Sequence, residues 1–186
     1  MVKRGPDAED ESDEQQRLNS ITTDTEPKKA AWSQTIDDME ALAAEYEAEG
    51  WTTVTIVAGD TGTQGVDTGS EEDDRFGFIH VIPDNSAEEF EDAFREDGFP
   101  VYDVYRAEMD ARVFMVTELR DPETETVIFI AGSFMRTFAD PLVEAAVDRG
   151  KLYTHVQTLD ATHLGSFEHD GYEKFFPEAD RVVAEN

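Results

Sequence analysis

PVYDVYRAEM (100–109), RVFMVTEL (112–119) and TVIFIA (126–131) decide the fold class of this chain. Each segment is rich in β-branched and aromatic residues and is bounded by turn chemistry, which predicts three strands in succession. The break around Asp110 suits a tight hairpin, and Asp121-Pro122-Glu123-Thr124 supplies the second turn. Such strands form an antiparallel meander. Residues 113–116 and 127–131 are near-continuous apolar runs, so the second and third strands are expected at the centre of a sheet, covered on both faces.

On the N-terminal side, TTVTIVA (52–58) and FGFIHVI (76–82) read as strands, the latter ended by Pro83. Before them Trp32, Ile36, Met39, Leu42, Ala43 and Tyr46 recur every three or four residues, predicting a helix that Gly50 stops and that Ser33 or Thr35 caps. Ser86 with Glu89 makes a capping box for a helix running through Phe90 and Phe94 to near Gly98. On the C-terminal side a helix is expected from Asp140, with Pro141 in its first turn, to Gly150. KLYTHVQT (151–158) and HLGSFEH (163–169) then flank the turn LDAT. The order α-β-β-α-β-β-β-α-β-β predicts an α+β fold: a mainly antiparallel sheet of six or seven strands with three helices packed mainly on one face. Residues 1–30 are polar and expected as a disordered leader, 31–177 as a single domain and 178–186 as a C-terminal tail.

The composition narrows the function classes. Among 186 residues there are 15 Lys and Arg against 44 Asp and Glu, and no cysteine. Disulfides, thiolate nucleophiles, iron–sulfur clusters and cysteine-based zinc sites are therefore excluded. The start MVKRGPDAEDESDEQQ lacks the apolar core of a signal peptide, and the most apolar run, 127–135, is too short for a membrane span, so the expected compartment is the cytoplasm. The net charge is −29. The leader's eight acids and five bases account for only −3, which leaves −26 on residues 31–186, where Lys151 and Lys174 are the only lysines. Such a charge opposes compaction at low salt and is nearly screened at molar salt, where the Debye length is about 3 Å. An acidic, lysine-poor domain of this kind is expected in a halophile with molar salt inside the cell, the plainer alternative being an ordinary acidic protein that binds a basic partner. In ordinary buffer the charge repels DNA and anionic membranes, and high salt leaves nucleic acid open as a partner.

AEYEAEGW, TIVAGDT, DRFGFIHVIPD, VYRAEMDARVFMVTE, THV and FEHDGYEKFFP together resemble a family of small uncharacterised proteins from halophilic archaea, over about residues 32–177. That resemblance implies a single domain of unknown function. It implies no activity and no catalytic residue.

Few groups stand out as carriers of chemistry. The glycine-rich segment 59–74 lacks the helix start and basic residue of a phosphate loop and runs into Glu71, Glu72, Asp73 and Asp74. It reads as a solvated loop, with a loose divalent-cation site on Asp60, Asp67 and the acidic run as the sharper possibility. Ser133 in AGSF lacks the flanking glycines of a nucleophile elbow. His80, alone on an apolar strand, reads as a satisfied core histidine.

If the last hairpin is centred on Asp160, Gln157 faces His163, His155 faces Gly165 and Tyr153 faces Phe167. His155 and His163 then lie diagonally on one face, a pair of imidazoles suited to zinc, copper, nickel or iron. Asp160 or Asp170 would have to complete the set, as Glu168 faces away, and a polar strand face is the plainer reading. Arg106, Arg112 and Arg120 lie on or beside the meander, with Arg136 just after it. Across the hairpin at Asp110, Arg106 and Arg112 can face the same side with Tyr102, Tyr105 and Phe114 nearby, a candidate cationic and stacking patch. The plainer reading of these arginines is ion pairing with Asp103, Glu108 or Glu118.

The leading expectation is a non-catalytic module that binds an unidentified protein or small ligand, or self-associates. No cofactor is implied. The alternative is a small metal-dependent hydrolase using His155 and His163.

Overall fold

A computed structural model describes residues 7–65 and 75–185, with side chains from Glu26 onward. Helix α1 (Asp7–Ala48) is followed by β1 (Thr52–Val57), β2 (Asp60–Gln64), β3 (Gly77–Ile82) and α2 (Asp84–Ala93). The meander is β4 (Val101–Met109), β5 (Arg112–Asp121) and β6 (Thr126–Met135). After it come α3 (Asp140–Arg149), β7 (Lys151–Thr158), β8 (His163–Asp170) and α4 (Ala179–Glu185).

The α+β class is as expected, but the single, mainly antiparallel sheet is not. The described strands form two four-stranded mixed sheets, ordered β1-β6-β5-β4 and β2-β3-β7-β8. Each contains one parallel pair, β1 with β6 and β3 with β7. The reason lies in the apolar runs of β5 and β6, buried almost throughout. Both faces of these strands need cover, and a helical layer serves only one. Val116, Val127, Phe129 and Ala131 face α1, against Met39 and Ala43. Leu119, Ile128 and Ile130 face the second sheet, against Ile82, Val156 and Phe167. At about 25 cal/mol per Å2, burial of this apolar surface supplies the main driving force for stacking the layers.

The sheets approach closely at Gly132, where a Cβ would stand 2.6 Å from Thr61 Oγ1 and 2.8 Å from a carbon of the His80 ring. Helix α2 closes one end of the sandwich, with Ala87 and Phe90 in the inter-sheet core. Leu142, Val143 and Ala146 of α3 close the other, with Phe76, Phe175 and Phe176. None of the described helices is long and apolar enough to cross a membrane.

Local details depart from expectation in physical ways. Thr35 caps nothing: its hydroxyl donates to the Ala31 carbonyl four residues back, inside α1. Gly50 does end the helix, at φ +91, a left-handed conformation that glycine adopts at little cost. The capping box at Ser86 does not form, because α2 starts two residues earlier behind Pro83 and has no side-chain cap. Residues 60–64, expected in a loop, are strand β2, paired antiparallel with β3. Asp67 and residues 71–74 of the proposed cation site lie outside the described residues.

Candidate functional site

The second sheet turns Phe78, His80, Ile82, Leu152, Thr154, Val156 and Phe167 inward. Its other face carries Ile79, Tyr153, His155, Gln157, Ser166 and Glu168, of which only His155 is buried. The β7–β8 register accounts for what gathers there. Gln157 faces His163 as expected, but the ladder then shifts between Val156 and Gln157. Val156 faces Gly165, His155 faces Ser166 and Tyr153 faces Glu168. Leu164 is the extra residue of a bulge, and bulges re-aim side chains. This one turns His163 to the same face as Ser166, while Phe167, opposite Thr154, points into the core. Glu168, expected to face away from His155, shares its face.

The result is a convergent polar cluster. Ser166 Oγ lies 2.7 Å from His155 Nδ1 and 3.1 Å from His163 Nε2. Arg75 Nη2 donates to the same oxygen at 2.7 Å. His155 Nε2 lies 2.8 Å from the Arg75 carbonyl. A carbonyl only accepts, so Nε2 carries the hydrogen and Nδ1 is left to accept the Ser166 hydroxyl proton. The serine oxygen in turn accepts from His163 Nε2–H and from Arg75. Burial, and then the Arg75 charge, lower the His163 pKa and favour its neutral form. The Tyr153 ring stacks on His155 at 5.6 Å and an 8° tilt, which fixes the imidazole plane.

Ser166, Arg75 and His163 form one wall of a cleft of about 500 Å3 whose other walls include Phe94, Phe99 and Tyr153 and the acidic Glu96, Asp97 and Glu168. Phe99 sits in the left-handed region at φ +62, a strain of order 1–3 kcal/mol for a bulky side chain. Its buried ring packs edge-on against Phe167 at 5.6 Å, which holds it there.

His155 and His163 are thus brought together, with ring centroids 6.1 Å apart, as the metal reading required. Both His155 nitrogens, however, are engaged by Ser166 and the Arg75 carbonyl. Asp160, offered as a further ligand, instead accepts from Thr158 Oγ1 and the Thr162 N–H and closes the turn. Among the described residues no three His, Asp or Glu side chains are grouped to hold a metal ion.

The arginine patch is divided by its strand register. Arg106 faces Met115, and Arg112 faces Met109, so the two guanidinium groups leave opposite faces of the meander. Tyr102 goes with Arg106 and Tyr105 with Arg112. Tyr102 packs on His169 at 4.3 Å with Lys174 Nζ 4.7 Å from its ring, and Tyr105 donates to Glu118 at 3.0 Å. Arg112 donates to Ser133, and Arg106 is half-buried with its Nε unpartnered among the described residues. The ion-pairing reading holds for the other two arginines: Arg120 pairs with Asp103, which also pairs with Lys174, and Arg136 pairs with Glu108. Arg75 and Ser166 carry no motif signal in the sequence; the bulge sets Ser166 opposite His155, and Arg75, just before β3, reaches the serine across β7.

Residues 18–177 match the model of DUF7529, a family of unknown function. No curated protein and no solved structure matches the chain.

Proposed function

The chain belongs to DUF7529, a family of unknown function whose match covers most of it; from the cleft beside Ser166 and the charge of the chain, we propose that it is a small-ligand-binding domain working in a high-salt cytoplasm. Its ligand is a small carboxylate with an apolar body, bound in the cleft beside Ser166. The observation that carries this is the placement of Arg75. Of the ten basic residues after position 30, seven make ion pairs with carboxylates among the described residues. Arg75 instead reaches a hydroxyl at the wall of a cleft. A carboxylate seated there accepts charge-assisted hydrogen bonds from Arg75 and a further one from His163, while Phe94 and Phe99 take the apolar body and molar salt screens Glu96, Asp97 and Glu168 of the same cleft. The net charge of −29 supports molar salt as the working medium. The leading role of residues 31–177 as one domain belongs to the same proposal, with the family match reaching back to residue 18.

Isothermal titration in molar KCl with benzoate and butyrate tests the reading. Saturable binding is expected, weakened about tenfold to a hundredfold in Arg75→Gln, since a charge-assisted hydrogen bond contributes roughly 1.5–3 kcal/mol. Absence of binding to the folded protein, or equal binding by the variant, overturns it.

A further inference from the structure

We propose that Ser166 is a nucleophile, activated by His155, and that the cleft hydrolyses a small carboxylic ester. The inference rests on the cleft proposed above, whose carboxylate ligand would be the product.

Three relations that covalent catalysis requires are present together. The nucleophile and base are in contact, with Ser166 Oγ 2.7 Å from His155 Nδ1. The base is oriented by a third group, because the Arg75 carbonyl holds the Nε2 hydrogen at 2.8 Å and so leaves Nδ1 bare on the serine side. Tyr153 stacking keeps the ring in that plane. Two donors, Arg75 Nη2 and His163 Nε2, converge on the serine oxygen at 2.7 and 3.1 Å. They lower the cost of a developing alkoxide, and on attack one of them turns from Ser166 Oγ to the substrate's carbonyl oxygen, which frees a serine lone pair and meets the new negative charge. A purely structural cluster would have no need of a void beside the hydroxyl, yet Ser166 borders a cleft of about 500 Å3.

The reaction balances with water as the only co-reactant. Ser166 Oγ attacks the ester carbonyl carbon as its proton passes to His155 Nδ1. The tetrahedral adduct collapses, the carbon–oxygen bond to the leaving alcohol breaks, and the His155 imidazolium returns the proton to that oxygen. Water, deprotonated by His155, then attacks the acyl-serine. The carboxylic acid is released and the proton goes back to Ser166. Arg75, which carries the carbonyl that orients His155, acts on the base as a positioning residue through its main chain and on the charge through its side chain.

The test uses the full chain in molar KCl with a neutral alkyl phosphonofluoridate probe, read by intact mass and peptide mapping. One stoichiometric adduct on Ser166 is expected, with loss of labelling in Ser166→Ala and at least a hundredfold slower labelling in His155→Gln, the span attributed to a general base. Hydrolysis of p-nitrophenyl butyrate should be lost in parallel, with far-UV circular dichroism confirming that each variant folds. The wild-type adduct site decides the matter even if His155→Gln fails to fold. No adduct, or one elsewhere than Ser166, overturns the proposal. Because the probe is uncharged, the two readings separate: benzoate binding without Ser166 labelling sinks the catalysis alone, and labelling without benzoate binding sinks the carboxylate reading alone.

Discussion

His80 and His169 show what burial does to single titratable side chains in this fold. His80 lies between the sheets with Nδ1 2.9 Å from Thr61 Oγ1, and its Nε2 has no partner among the described residues. Burial, with a smaller contribution from His155, pulls its pKa down to about 4. His169 Nε2 lies 2.7 Å from Thr154 Oγ1, and burial, then His155 and Lys174, pull its pKa down to about 3. An unfolded histidine titrates near 6.5, so between that pH and the folded values the unfolded chain binds more protons. The stability these residues contribute is therefore complete above pH 6.5 and is lost as the pH falls toward 4 and 3. Two such groups remove about 2 kcal/mol between pH 6.5 and 5.5, a window above most carboxylate titration. Urea unfolding in molar KCl across this window should show that decline, and His80→Gln should reduce its slope by about half. A flat profile would mean that both imidazoles are hydrated in the native state.

Among elements, the parallel seam between β3 and β7 is the most sensitive. A Cβ on Gly77 would stand 1.9 Å from the Tyr153 carbonyl oxygen, whereas one on Gly62 of β2 meets nothing within 4 Å. Gly77→Ala is expected to cost about 3 kcal/mol by overpacking against backbone, and Gly62→Ala almost nothing. Thermal melts of the two variants side by side check this; equal melting temperatures would show that the seam relaxes. The same seam explains which elements the sequence discloses. The β4–β5 hairpin is legible because its information is local: Met109 faces Arg112 across Asp110 and Ala111, both at positive φ, as a two-residue turn demands. The pairings β1–β6 and β3–β7 join distant segments and carry no turn signal, so nothing local in the sequence marks the second sheet as a separate layer. Strand β2, DTGTQ, has no apolar alternation to announce it and exists as a strand through its pairing with β3. The bulge at Leu164 did leave a trace. An unbulged hairpin opposes Phe167 to Tyr153 on the outer face, while Leu152, Val156 and Phe167 need one common core face. That conflict marks the shift which sets Ser166, rather than Gly165, opposite His155.

For the whole molecule the decisive quantity is the charge on residues 31–186, −26. The seven ion-paired bases there neutralise few of the 36 acids, and most of these pairs are at least partly exposed, where each contributes little. Self-repulsion is therefore opposed chiefly by solvent ions. At 0.1 M salt the Debye length is about 10 Å, so neighbouring surface carboxylates repel one another, and at 1 M it is about 3 Å, so they scarcely do. The three-layer core is expected to hold at molar KCl and to lose structure below about 1 M. Far-UV circular dichroism and melting temperature against KCl measure this. NaCl should give the same curve, because screening depends on ionic strength and not on which monovalent cation supplies it. A cooperative native transition in dilute buffer would show that the apolar layers alone outweigh the repulsion. A curve that differs between K⁺ and Na⁺ would point instead to bound cations among the exposed carboxylates.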